Sequence, residues 1–192
     1  FAALVRRRPA KLVFVGDGEL REDLTRHARQ LGLRVYEAWS QVTLTSEYDV
    51  YFLGLQQNPF KYIRPASAFV FPSAWEGFPM ALGEAMICGV PVVTTDCPTG
   101  PREILAPQTK TPQVGIRAAE KAEFGILMPM LNQAATLEAD LRVWTETLYQ
   151  LLNDKEEQER LGQLASQRMQ DFTREKIFSQ WVTLLDELLA RP

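Results

Sequence analysis

Five apolar runs, each ending at a turn residue, restrict the fold of this chain more than any other feature. They are "KLVFVGDG" from Lys11, "VYFLGL" from Val50, "SAFVFPS" from Ser67, "GVPVVTT" from Gly89 and "FGILMP" from Phe124. Each has strand length and is rich in β-branched or aromatic residues. Continuous apolar runs of this kind mark strands of a parallel sheet covered on both faces. "LRVYEAW" from Leu33 is a weaker strand, and "QVTLTSEYD" reads as loop. Helical stretches alternate with the strands. Leu20, Leu24, His27, Ala28 and Leu31 share one helix face, with Gly32 just past its end. "QQNPFKYI" turns into a short helix. "APQTKTPQVGIRAAEKAE" from Ala106 shows little periodicity and reads as a connection. Beyond it come three helical stripes: Leu137 to Leu152, Leu161 to Ala165, and Ile177 to Leu188. The fold class is therefore α/β, a doubly wound, mainly parallel sheet followed by C-terminal helices.

The chain's 192 residues, 46% of them hydrophobic, suffice for one full core. Asp and Glu outnumber Lys and Arg by 24 to 21. No basic stripe or nucleic-acid motif is present, so a nucleic-acid partner is not expected. Arg6, Arg7 and Arg8 read as a solvated helix end. Cys88 and Cys97 lack metal-ligand spacing and fit a reduced, cytoplasmic setting. Cys88 reads as a small core residue. No signal peptide or bilayer-length apolar run occurs, and the sequence carries no signal for or against membrane contact. It opens without Met, inside the helix-like "FAALVRRRP", as expected for a piece of a longer protein.

The stretch "PSAWEGFPMALGEAMICGVPVVTTDCPTGPREIL", Pro72 to Leu105, sets Glu76 and Glu84 around a short apolar helix that leads into a strand. Pro79 suits the first turn, where its missing N–H is not needed. Ala81, Leu82, Ala85 and Met86 give an apolar face, and Gly89 ends the helix. Following a strand directly, the helix points its free N–H groups and positive dipole end at the ligand edge of the sheet. The turns Gly16–Asp17–Gly18, Gly54–Leu55 and Ser73–Met80 share that edge. Full helicity would place Glu84 about 12 Å beyond Glu76, at ~1.5 Å per residue. That span suits a ligand with a central anion and hydroxyls at both ends, such as a nucleoside diphosphate sugar. Either glutamate alone also fits an acid at a helix start or on a wet helix face. Together with the flanking glycine, proline and strands they point to a ligand.

These residues resemble glycosyltransferase family 4, retaining enzymes of the glycosyltransferase-B fold, in the carboxy-terminal donor-binding domain. The signature is Glu, seven residues, Glu, then Ala-Met, a Gly and Pro-Val-Val, here "EGFPMALGEAMICGVPVV". "KLVFVGDGELREDL", "VYFLGLQQNPFKYI" and "FGILMP" extend it, and "DCPTGPREIL" is typical of members that build lipopolysaccharide and capsule. The resemblance implies that Glu76 lies against the transferred sugar as the catalytic carboxylate. It implies that Gly77, Phe78 and Met80 offer N–H groups to sugar and diphosphate, and that Glu84 grips the ribose hydroxyls. Backbone at Gly54, Leu55 and Gln56 would meet the nucleobase. Pro79, where many members have glycine, cannot donate. Arg102 and Glu103 are expected to cap a short helix rather than bind ligand.

The implied domains are residues 1–172, a nucleotide-sugar-binding Rossmann-like unit with its first strand truncated, and residues 173–192, a helix that crosses back to an absent N-terminal domain. The implied partners are a nucleotide sugar donor and, through that domain, a glycan or lipid-linked acceptor. No cofactor and no metal are expected. The Gly-Arg…Lys pair that binds the diphosphate in family members would precede Phe1. Without it this chain alone is expected to be inactive and to bind nucleotide weakly. His27, the sole histidine, reads as structural, and no Asp-x-Asp or His/Cys cluster occurs. Alternatives are an epimerase or phosphorylase on the same fold, or a non-catalytic Rossmann-type binding module.

Overall fold

A computed structural model describes residues 1–109 and 115–190. Its strands are β1 (Leu12–Phe14), β2 (Val35–Glu37), β3 (Val50–Phe52), β4 (Phe69–Phe71), β5 (Val92–Thr95), β6 (Glu120–Ala122) and β7 (Gly125–Met128). Helices are α1 (Ala2–Val5), α2 (Arg21–Gln30), α3 (Phe60–Ile63), α4 (Met80–Ile87), α5 (Pro101–Leu105), α6 (Leu137–Asn153), α7 (Lys155–Arg168) and α8 (Arg174–Leu189). A 3-10 turn, Met169–Phe172, joins the last two. All six strands read from the sequence form, in a mainly parallel arrangement.

The strands divide into two sheets, β1-β3-β2 and β4-β5-β7-β6. All pairings are parallel except β6 with β7, an antiparallel hairpin. β6 lies inside the stretch expected to be connection. Its sequence, Glu-Lys-Ala, carries no strand pattern, and pairing with β7 alone makes it a strand. Residues 110–114 of that stretch lie outside the described residues. β1 and β4 each pair on one side only, so each sheet ends on a parallel edge.

The second sheet holds the main core. Leu82, Met86, Val92, Ile104, Leu105 and Leu127 are fully buried on one side. Val93, Ile126, Met128, Trp144 and Leu161 are buried on the other. α7 reaches this core through a glycine pair: a Cβ on Gly162 would lie 3.0 Å from the Gly89 carbonyl carbon. The Trp144 indole donates to the Pro129 carbonyl at 2.9 Å, so this buried ring leaves no polar group unmet.

The first sheet is thinly covered. Ala28 packs on Val50 and Phe52, but Val13 is 44% and Phe14 37% exposed. β1 forms where the sequence puts it, yet its apolar side chains are not buried, because it is an edge with a neighbour on one side only. The apolar face expected of α2 is corrected too. Thr25 and Ala28 are its buried residues, while Leu20, Leu24, His27 and Leu31 are exposed. The arginine cluster is less solvated than expected: Arg7 pairs with Glu146 and lies 3.9 Å over the Tyr149 ring, and Arg8 donates to Asn153. These contacts tie α1 to α6. α8 has no buried residue, and Phe178, Trp181, Leu184, Leu185 and Leu188 are exposed. Among the described residues no helix is long and apolar enough to cross a membrane.

Candidate functional site

The site starts at the carboxyl end of β4. Residues 72–79 leave the strand and enter α4, whose N-cap is Pro79. Pro79 sits in extended backbone, and its carbonyl accepts the Gly83 N–H at 3.2 Å. At the other end the Gly89 N–H meets the Met86 carbonyl at 2.9 Å and the Val90 N–H meets the Ala85 carbonyl at 3.2 Å, with Gly89 at φ +72°. That is a Schellman cap, as the glycine required. Leu82, Ala85 and Met86 are buried, Ala81 half-buried. The helix is therefore held rigidly with its N-terminus at the sheet edge.

Glu76 and Glu84 are both half-buried. Among the described residues neither carboxylate takes part in a hydrogen bond or ion pair, and neither has an oxygen sealed from solvent. Half-buried carboxylates without a protein partner are what a hydroxyl-bearing ligand needs, since an ionised carboxylate only accepts. The geometry departs from the fully helical spacing. Helix begins at Met80, so Glu76 to Phe78 are non-helical loop that bends at Gly77 and Phe78, and Glu84 falls mid-helix, with Ala85 to Ile87 after it. Gly77, Phe78 and Met80 are exposed while Pro79 is buried. Phe78 leans on Phe172, ring centroids 5.3 Å apart.

Burial pushes the Cys97 thiol up, and the charge of nearby Glu76 adds to the effect. Burial does the same to Cys88, with Arg64 opposing and Glu84 adding. Both thiols therefore stay protonated and chemically quiet at neutral pH. Cys88 is only half-buried, less enclosed than a core residue.

The nucleobase candidates lie on the other sheet. Gly54 has φ +66°, which favours glycine, and its carbonyl accepts the Gly16 N–H at 2.9 Å. The two glycine turns are thereby joined. Leu55 is 81% exposed. The Gln56 side chain is occupied internally: it donates to the Leu53 carbonyl at 2.8 Å and accepts the Tyr62 hydroxyl at 3.0 Å. One N–H and one lone pair of that amide, with the backbone, remain for a ligand.

Polar residues that the sequence reading did not weigh hold this edge together. The Thr94 and Thr95 hydroxyls donate to the Phe71 and Ser73 carbonyls at 2.9 and 2.5 Å. The Thr99 hydroxyl donates to the Glu76 carbonyl. The available signal was "TTD" at the end of an apolar strand, where buried hydroxyls must find acceptors. Arg102 is not a cap. It is 4% exposed and forks onto Asp96 at 2.8 and 2.7 Å, while reaching Glu120 at 3.0 and 2.7 Å. Two carboxylates raise its already high pKa further. Glu103 does cap, accepting the Gly100 N–H at 3.5 Å.

Comparison with known proteins gives the family. A family model described as "Glycosyl transferases group 1" matches residues 1–126. An uncharacterised glycosyltransferase of Methanocaldococcus jannaschii is 32% identical, the match covering 92% of this chain and 42% of the relative. A lipopolysaccharide 1,6-galactosyltransferase of Salmonella typhimurium is 34% identical over 50% of this chain and 24% of its own length. Among solved structures, a pneumococcal O-GlcNAc transferase in complex with UDP and GlcNAc superposes with TM-score 0.71 at 16% identity, covering 99% of this chain and 32% of that one. The chain belongs to the group 1 glycosyl transferases. It spans less than half the length of these curated relatives.

Proposed function

We propose that this chain is the donor-binding half of a retaining hexosyltransferase of the family 4 type. The enzyme would move a sugar from a nucleoside diphosphate to a glycan or lipid-linked acceptor in cell-surface polysaccharide or lipopolysaccharide synthesis, in the cytoplasm. One observation carries this reading: two half-buried carboxylates, Glu76 and Glu84, without protein partners among the described residues, flank the N-terminus of α4 at the carboxyl end of β4. The galactosyltransferase name of the Salmonella relative and the UDP in the pneumococcal neighbour's structure support it.

Glu76 faces the transferred sugar and stabilises positive charge developing at its anomeric carbon. The N–H groups of Gly77, Phe78 and Met80, with the helix dipole, meet the diphosphate. Glu84 accepts from the ribose hydroxyls, and backbone at Gly54 to Gln56 meets the base. No metal takes part. In the front-side route implied by the family, the leaving phosphate takes the acceptor's proton.

A preceding segment would supply the acceptor domain, the diphosphate-binding cations and one further parallel strand. The unpaired edges of β1 and β4, with Val13 and Phe14 exposed beside one of them, favour such a strand. The exposed apolar side of α8 favours a helix that crosses back to the acceptor domain, since patches of this kind rarely stay bare. The chain alone is then inactive and weak in nucleotide binding. The test is a donor screen on the full-length protein, with the product anomer read by NMR and Glu76→Ala compared with Glu84→Ala. Glu76→Ala should lower turnover far more. Equal losses, or an inverted product anomer, would refute the assignment.

A further inference from the structure

Residues 96–102 run from the end of β5 into α5 and form a closed loop of their own. Its ends are joined by the fork between Arg102 and Asp96. The same guanidinium holds Glu120 of β6, and its Nη1 donates to the Thr109 hydroxyl at 2.9 Å. All five N–H donors of Arg102 are thereby used. None is left for a phosphate, although Arg102 lies one residue past the start of a helix near the site.

The middle of this loop lies on the Glu76–Met80 segment. The Thr99 hydroxyl holds the Glu76 carbonyl. Gly100, at φ +88°, sits so close that a Cβ would be 2.8 Å from Pro79 Cδ and would collide with the Gly77 carbonyl oxygen. Among the described residues no backbone–backbone hydrogen bond reaches residues 74–78. The segment that offers amides to the ligand is therefore tethered by side chains and by close approach, not by a ladder.

We infer that residues 96–102 form a strap that positions the amides and carboxylate of the Glu76–Met80 segment. Thr99, Gly100 and Arg102 are positioning residues in it and touch no substrate. The strap matters for transfer because a preorganised donor loop incurs no reorganisation cost during reaction, so its looseness would be felt in rate. This inference rests on the donor reading above for its functional meaning, though not for its geometry.

Thr99 is exposed and its replacement leaves the core untouched. The experiment is 15N backbone relaxation on the 192-residue chain, wild type against Thr99→Val and Thr99→Ser. Thr99→Val should lower the order parameters of Gly77 and Phe78 from the rigid value of about 0.85 toward about 0.6. Thr99→Ser should restore them. Amides of β5 and β7 should not change. Unchanged order parameters at Gly77 and Phe78, or the same loss throughout the chain, overturns the strap. In the full-length protein, kcat/KM for the donor should fall roughly three- to tenfold in Thr99→Val, the range one net hydrogen bond supplies, and recover in Thr99→Ser. A wild-type protein that transfers no sugar would overturn the donor reading instead, with relaxation still deciding on the strap.

Discussion

Arg102→Ala is the sharpest perturbation of the candidate site's support. The Asp96 side chain is 2% exposed and the Arg102 side chain 5%. Truncating the arginine leaves a buried carboxylate facing empty space. Breaking such a pair costs about 3–5 kcal/mol, because the remaining charge is desolvated and uncompensated. For a chain of 192 residues, each kcal/mol lowers Tm by about 2–4 °C, so a drop of about 6–20 °C is expected at pH 7. Asp96→Asn in the Arg102→Ala background should recover part of the loss at pH 7. Thermal melts followed by circular dichroism check both. A Tm within about 3 °C of wild type at pH 7, or no recovery in the double variant, would refute the reasoning.

Gly162→Ala should destabilise despite a gain in helix propensity of about 1 kcal/mol. The new methyl would sit 3.0 Å from the Gly89 carbonyl carbon and 3.7 Å from Pro91 Cδ, and overpacking against backbone costs about 1–3 kcal/mol; a higher denaturation midpoint would contradict the glycine contact. Asp49 forks onto Arg34 at 2.8 and 3.1 Å and accepts the Arg34 backbone N–H at 2.9 Å. Hydrogen bonding to Arg34 lowers its carboxyl to about 2. The stabilisation this gives is present above the unfolded value of about 3.9 and is lost as pH falls toward 2. An NMR titration should place the Asp49 midpoint near 2 in the wild type, and Arg34→Ala should move it up toward about 3.9; a wild-type midpoint already there would remove the pair.

Every strand but β6, the long helices and the body of α4 were legible in the sequence because each rests on local pattern. Apolar runs, helical stripes and a terminal glycine need no knowledge of neighbours. Glu76 and Glu84 were legible for the same reason, as acids beside a core segment. Contacts between distant segments were not. β6 is a strand only because β7 pairs with it. The open edge at β1, which leaves Val13 and Phe14 exposed, depends on what stands beside that strand. Arg102 reads as a capping residue next to Pro101, and only the fold brings Glu120, 18 positions later, onto its guanidinium. Thr99 gave no signal, since its partner is a backbone carbonyl 23 positions earlier.

The central claim is that the start of α4, with a glutamate on either side, receives an activated sugar. The most direct measurement is a titration of the isotopically labelled chain with a nucleoside diphosphate sugar, followed by 15N NMR, which registers even millimolar binding. Shifts should concentrate at Gly77, Phe78 and Met80, around Glu84 and at Gly54 to Gln56, and Glu84→Gln should weaken them. Silence at residues 77–84 while other regions shift, or no shift anywhere at millimolar ligand, would contradict the account.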